Sequence, residues 1–280
     1  MGIFSGCLLA SDIDGTLMCN ATKVIPSRNL EAIKYFISEG GFFTLATGRM
    51  ARYSKECYDI CGANAPIIAN QGSSIYDYKT KSYVLNLDVT SEFKEILEEI
   101  RKRFPKVGIE IFSNDKCYKL QDHICTMYHA GYLKFEFSDV PSDYKKLKWD
   151  KVVFLTDNDK ELSALKEYLL DVPQNICSVY CSLNLENFKL IEVGNPNANK
   201  GYALNKLKEF LGAKKTFAIG DFYNDVQLLE QADVSAVPAE SPEELKKMAN
   251  YVAGRCESGA VADFIEQISL EMKGRNLWKN

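Results

Sequence analysis

Histidine is almost missing from these 280 residues: only His123 and His129 occur. No cysteine cluster accompanies either at zinc-ligand spacing, so a four-ligand structural zinc site is not expected. Long apolar runs are missing as well, and nothing approaches the roughly 20 residues that span a bilayer. The opening MGIFSG lacks the charged and apolar regions of a signal peptide, and Gly6 breaks the myristoylation pattern. An excess of positive charge is missing too. Lys and Arg total 34 against 38 Asp and Glu, a net charge of -4, which excludes the basic footprint of a nucleic-acid binder. Lys145, Lys146 and Lys148 are therefore a solvated face. Cysteine is not scarce, but the nine are odd in number and scattered, which argues for reduced thiols in a cytoplasm rather than a secreted disulfide framework. Cys57 and Cys61 can share a helical face, yet nothing nearby completes a metal site.

Hydrophobic residues make up 46% of the chain and charged residues 26%, the balance of a globular protein with a substantial core. Residues 7–12 form a short apolar strand. PSRNLEAIKYFISEGG follows, with Leu30, Ile33 and Ile37 on one helical face and Gly40–Gly41 as a stop. FFTLATGR is a second strand, a helix covers about 49–61, and APIIANQG holds a third strand. The last third resumes the alternation: a helix stopped by Gly212, the strand TFAIGD, a helix from NDVQLLEQA, the strand VSAV, and a helix with Ser241 as N-cap and Pro242 in its first turn. Continuous apolar strands separated by helices predict a parallel sheet covered on both faces. The middle differs, with the strand pair VGIEIF and CYKLQ, the strands KVVFLT and ICSVYCS, and helices near 91–104 and 159–170. The expected architecture is α/β: a Rossmann-like parallel-sheet core over residues 1–82 and 187–280, with an inserted α+β cap domain over 83–186.

The chemistry-bearing residues cluster at predicted strand ends. Asp12 and Asp14 follow the first strand, Thr47 and Gly48 the second, and Asp221, Asn224 and Asp225 the strand TFAI. Lys200 opens the helix between. In an open α/β sheet such loops converge on one crevice. Three carboxylates with backbone oxygen make a hard site suited to Mg²⁺, while Lys200 and Thr47 can donate to phosphate oxygens. A carboxylate can act as a nucleophile once a cation neutralises the repulsion from an incoming phosphate. That places Asp12 to attack phosphorus and Asp14 to handle the leaving group's proton.

DIDGT (12–16), TGR (47–49), Lys200 and GDFYND (220–225) resemble, in order and spacing, the four motifs of the haloacid dehalogenase superfamily. The long insert, NQGSSIYD (70–77) and ESGAVADFI (257–265) resemble the Cof-type phosphatases with a large α/β cap. The resemblance implies that Asp12 forms an aspartyl-phosphate and that Asp14 is the general acid, then the base. It implies that Thr47 and Lys200 hold the phosphoryl group, and that the Asp12 side chain, the Asp14 carbonyl and Asp221 bind Mg²⁺. Asn224 and Asp225 support the metal and Lys200, and Asn224 and Gly48 join the phosphate-binding set. A closing cap would exclude water and supply substrate contacts. Two positions depart from the family pattern: Gln71 stands where Asn precedes Gly, and AVPAE (236–240) replaces AMGNA, removing an Asn near Ala239. Both bear on substrate contacts.

The expected activity is Mg²⁺-dependent hydrolysis of a small phosphorylated metabolite, a sugar phosphate or a phosphorylated cofactor, with no nucleic acid or membrane partner. A phosphomutase or other phosphotransferase on the same scaffold would use the same acids. A non-catalytic regulator would have lost Asp12, Lys200 or Asp221, and none is lost. Arg49 either orients substrate or cap, or pairs with an acid. Asn224 can also cap the helix that follows it. Phe222 and Tyr223 pack near their loop. The aromatic run YHAGYLKFEF (128–137) is core, or else lines a substrate pocket through Tyr128 and Phe137.

Overall fold

A computed structural model describes residues 2–114, 116–185 and 188–274. The chain divides into two compact units, one built from residues 1–85 and 199–280 and the other from 86–198.

In the first unit, the described residues form a sheet in the order Tyr251–Val252, Val234–Val237, Lys215–Ile219, Cys7–Ser11, Phe42–Leu45, with every neighbour parallel. Cys7–Ser11 is an interior strand, between Lys215–Ile219 and Phe42–Leu45, and wholly buried. Its side chains alternate between two cores, as the period of two in a strand requires. Cys7 and Leu9 pack with Ile33 and Phe36 of the Ser27–Ser38 helix and with Phe264, Ile265 and Ile268 of the Ala260–Met272 helix. Leu8 and Ala10 pack with Ala203, Leu204 and Leu207 of the Lys200–Leu211 helix and with Leu228. Each buried leucine contributes roughly 1.5–3 kcal/mol, so both faces hold the strand in register, and its end is fixed in space.

APIIANQG holds the expected strand, Ile67–Ala69, which joins the main sheet in the parallel sense through the Ala46–Ile68 bridge and, beyond that expectation, pairs antiparallel with Ser74–Asp77. The reason is local. Asn70 (φ 51°), Gln71 (φ 57°) and Gly72 (φ 90°) are consecutive left-handed residues, which reverse the chain into a hairpin. Ser241 departs from expectation: the Glu243–Met248 helix is capped by Pro242 without a side-chain bond, and the Ser241 hydroxyl is buried without a partner.

The second unit carries a sheet ordered Ser178–Leu185, Phe188–Gly194, Lys151–Thr156, Gly108–Ser113, Lys116–Gln121, Phe137–Ser138 among the described residues. All its neighbours are antiparallel except the last pair. Ile109, Ile111, Val152, Phe154, Ile191 and Val193 face a core shared with Phe93, Leu97, Leu165 and Leu169, contributed by the expected helices Ser91–Arg103 and Asp159–Leu170. An unforeseen helix, Ile124–Leu133, packs over the other face, where His129 Nδ1 lies 2.7 Å from Glu110 Oε2. Tyr128 is about half exposed on that helix, whereas Phe135 is buried. The aromatic run is thus divided between surface and core. The expected return joint, between residues 186 and 187, lies outside the described residues. Phe188–Gly194, expected in the core, pairs instead with Lys151–Thr156 in this sheet. Among the described residues no helix is long and apolar enough to cross a membrane.

Gly201 shows how closely the helix bearing Lys200 is packed. A Cβ there would overlap the carbonyl oxygen of Gln227 in the neighbouring Val226–Gln231 helix. Gly→Ala inside a helix ordinarily stabilises by about 0.8–1 kcal/mol. Here the sign should reverse, and Gly201→Ala should lower the unfolding free energy by about 1–3 kcal/mol, the cost of overpacking. Urea denaturation measures this, and an equal or higher midpoint would contradict the packing.

Candidate active site

The first strand delivers Asp12 to the sheet edge, where its N–H donates to Ile219 O (2.9 Å) on the neighbouring strand. Lys200 arrives from the first turn of its helix, whose N-cap Asn199 accepts from Tyr202 N (2.7 Å). Its ammonium is wholly buried, donating to Asp12 Oδ1 and Asp225 Oδ1 at 2.6 Å each. Asp225 Oδ2 accepts from the backbone N–H groups of Asp221 (3.1 Å) and Phe222 (3.2 Å), so both oxygens of this buried acid are engaged. Gly220 permits that fold-back, since a Cβ there would overlap the Asp225 carboxylate. Asp221 Oδ1 accepts from Thr16 Oγ1 at 3.0 Å. Gly15, at φ 87°, brings the first loop so close that a Cβ would overlap Asp221 Oδ2.

One cation thus faces three carboxylates, since oxygens of Asp12, Asp221 and Asp225 lie within 4.8 Å of one another. Burial pushes Asp12 well above the ordinary carboxylate range, against the pull of Lys200. Burial, with Asp225 adding to it, pushes Asp221 up to about 7. Burial also opposes the charge on Lys200, but Asp12 and Asp225 outweigh it and hold the ammonium above its usual value. Crowded hard oxygens short of positive charge fit a divalent cation such as Mg²⁺. Asp12 and Asp221 would supply its side-chain oxygens.

Asp14 sits apart, about one-third exposed, in a two-pronged ion pair with Arg49: Nε to Oδ2 at 2.8 Å and Nη2 to Oδ1 at 2.6 Å. Lys23 lies 3.5 Å away. Of the two expectations for Arg49, the structure shows the acid pair. Thr47 is buried, its N–H donating to Ile68 O and its Oγ1 accepting from Arg49 N (3.1 Å). That leaves the hydroxyl's own proton to donate. Asn224 does not cap a helix with its side chain; its Nδ2 donates to Gln71 Oε1 at 3.2 Å. The Gln71 amide also lies against Gly48. The replaced segment is held by its backbone, Ala239 N donating to Gly254 O (3.3 Å).

Sequence reasoning placed these residues at converging strand ends, and the core unit brings Asp12, Thr16, Lys200, Asp221 and Asp225 into one linked network. The hydroxyl of Thr16 was missed as the support of Asp221; its place in DIDGT was the available signal. Cys57 and Cys61 are buried on one helix, with thiols pushed by burial up to about 11 and about 12. Another group with ligand-type atoms, His123, Cys125 and Asp157, lies in the second unit. There His123 Nδ1 accepts from Cys125 N (3.2 Å) as a helix cap. That engages Nδ1, and Nε2 lies 3.8 Å from Asp157, too far for a direct hydrogen bond.

Residues 9–265 match the family described as haloacid dehalogenase-like hydrolase. A 5-amino-6-(5-phospho-D-ribitylamino)uracil phosphatase of Bacillus subtilis is 26% identical, over 93% of this chain and 97% of its own. A phosphoglycolate phosphatase of Methanosarcina acetivorans is 24% identical, over 91% and 93%. The crystal structure of a Thermotoga maritima protein superposes with a TM-score of 0.79 at 22% identity, covering 93% of this chain and 96% of that one. A sugar phosphatase of HAD subclass IIB superposes at 0.78 with 18% identity, covering 94% and 99%. The chain belongs to the haloacid dehalogenase-like hydrolases.

Removing the central cation tests the network. Lys200→Met would leave Asp12 and Asp225 buried without their shared cation and should cost about 3–5 kcal/mol of stability. Adding Asp225→Asn should restore part of that loss. Chemical denaturation of the two singles and the double reads this, and additive losses would contradict a shared ion pair.

Proposed function

We propose that the protein is a Mg²⁺-dependent phosphomonoesterase working through an aspartyl-phosphate on Asp12. One observation carries the reading: a strand-end carboxylate is pinned by a buried lysine amid two further acids. Asp12, the Asp14 carbonyl and Asp221 would hold the ion, which when bound neutralises charge between nucleophile and phosphoryl group. Lys200, the Thr47 hydroxyl, the Gly48 backbone and Asn224 hold the phosphoryl oxygens. Lys200 also keeps the Asp12 carboxylate in one orientation for in-line attack. As an Asp12 oxygen bonds to phosphorus, the bond to the leaving oxygen breaks, and Asp14 gives that oxygen a proton. Asp14 then takes a proton from water as it attacks phosphorus, releasing phosphate and restoring Asp12. Arg49 orients Asp14 for both steps, and Asp225 anchors Lys200.

The substrate is a small phosphorylated metabolite, a sugar phosphate or a phosphorylated cofactor. Two Bacillus subtilis relatives are named as phosphatases of a phosphoribitylamino-uracil, which supports a polyol phosphate. The inserted α+β unit is assigned as the cap that sets substrate choice, and the setting is the cytoplasm.

Asp12→Asn keeps the shape of the side chain but replaces a nucleophile with a poor one. Phosphate release should vanish, and turnover within about tenfold of wild type, roughly 1.4 kcal/mol in the barrier, would exclude Asp12 as nucleophile. Chelator should abolish activity and Mg²⁺ restore it. Ca²⁺ should do so poorly, because its looser coordination shell misplaces the attacking carboxylate.

A general acid matters most when the leaving alkoxide is basic. Asp14→Asn should therefore cripple hydrolysis of a sugar phosphate far more than that of an aryl phosphate, and should slow breakdown of the phosphoenzyme. Steady-state rates on both substrates, with single-turnover detection of phosphoenzyme, measure this. Equal losses without a second-step defect would remove Asp14 from the proton transfers.

A further inference from the structure

The turn at residues 70–72 touches each of the loops that bear the phosphate-binding groups. Its backbone N–H groups donate to the second loop, Asn70 N to Arg49 O (2.9 Å) and Gln71 N to Thr47 O (3.1 Å). Gly72 lies directly on the backbone of Asn199 and Lys200, where a Cβ would overlap the Asn199 carbonyl. The Gln71 side chain spans the remaining gap. Its amide lies against Gly48, which has no room for a Cβ, and its Oε1 accepts from Asn224 Nδ2 at 3.2 Å. Gln71 is buried and sits at φ 57°, ψ 24°. A glutamine has no side-chain compensation for that conformation, whereas Asn and Gly adopt it more readily. Local strain of this kind persists where the surroundings over-determine it and clusters at functional sites.

We infer that Gln71 is a positioning residue for phosphate binding: its amide bridges the Thr47–Gly48 loop to Asn224 and holds both in place before substrate arrives. This rests on the phosphatase reading above. Glutamine serves because of its reach. Asparagine, one methylene shorter, would suit the turn but fall short of Asn224. Engaging one N–H of Asn224 also fixes how its amide is turned, leaving the carbonyl and the second N–H for the site.

The variants Gln71→Asn and Gln71→Ala separate this role from a purely structural one. Inorganic phosphate, with Mg²⁺ present, is titrated calorimetrically into each, and kcat and KM are measured with p-nitrophenyl phosphate alongside thermal unfolding. Gln71→Asn should be as stable as wild type or more so, because Asn tolerates the left-handed turn. It should nevertheless bind phosphate about five- to tenfold more weakly, the range for one lost hydrogen bond. KM should rise by a similar factor with kcat little changed, since the lost contact serves ground and transition states alike. Gln71→Ala should weaken binding to the same degree, and combining it with Asn224→Ala should cost less than the sum of the singles. Unchanged phosphate affinity in both Gln71 variants, or additivity with Asn224→Ala, would overturn the inference. The titration does not depend on turnover. Wild-type protein that binds no phosphate would refute the phosphatase reading and this inference with it. Phosphate binding that is insensitive to Gln71 would refute only the inference.

Discussion

The ammonium of Lys200, wholly buried between Asp12 and Asp225, is the contact on which the rest of the site depends. A buried charge is costly unless paired and hydrogen-bonded, and here each partner does a second job. Asp12 ends an interior strand, and Asp225 gathers the backbone N–H groups of Asp221 and Phe222. The lysine therefore ties the end of one strand to the loop after its neighbour. One ammonium cannot balance three acids. Burial, with the neighbouring acids adding to it, raises the pKa values of Asp12 and Asp221, and the negative charge left unbalanced suits the place to a divalent ion.

That contact requires a rigid frame, and the sheet supplies it. Leu8 and Ala10 face one core while Cys7 and Leu9 face the other. The strand cannot slip by one residue without exchanging every side chain between the two. The register Ala10–Ala218 and Ser11–Ile219 then sets where Asp12 stands against the loop of Asp221. The glycines make the close approaches possible. Gly15 brings its loop onto Asp221, Gly220 lets Asp225 fold back, and Gly201 seats the lysine's helix on its neighbour. A side chain at any of these would push the carboxylates apart.

Much of this was legible in the sequence, because apolar strands that end abruptly in acids conflict with simple burial and so mark themselves. The alternation of strands and helices, the two helices of the inserted unit and the strand-end residues all follow from local pattern. What was hidden depends on contacts distant in sequence. The Ile124–Leu133 helix has buried Cys125, Thr126, His129 and Ala130 but exposes Ile124, Met127, Tyr128 and Tyr132. With apolar residues on its outer face, it carries no clean amphipathic stripe. The strand before Asn70 was legible, but its antiparallel partner Ser74–Asp77 was not, because Asn-Gln-Gly does not signal three consecutive left-handed residues. Residues 188–194 fell in the expected core only because the return joint was expected between residues 186 and 187; the strand Phe188–Gly194 and its pairing with Lys151–Thr156 were not legible in the sequence. Ser241 looked like a cap, yet Pro242 takes that position.

Four aspartates in one unit illustrate how environment divides labour among identical side chains. Asp225 is saturated, with Lys200 on one oxygen and two backbone donors on the other, and serves as an anchor. Asp221 is held by a neutral hydroxyl and by no cation within hydrogen-bond reach among the described residues, so its charge is left unpaired by the protein. Asp12 shares Lys200 and stands buried at the end of its strand, held in one orientation. Asp14, only two residues on, points elsewhere, into the guanidinium of Arg49 and toward water. Two residues of chain thus carry Asp12 to a buried lysine and Asp14 to a partly exposed arginine, so that neighbours in sequence become groups of opposite surroundings.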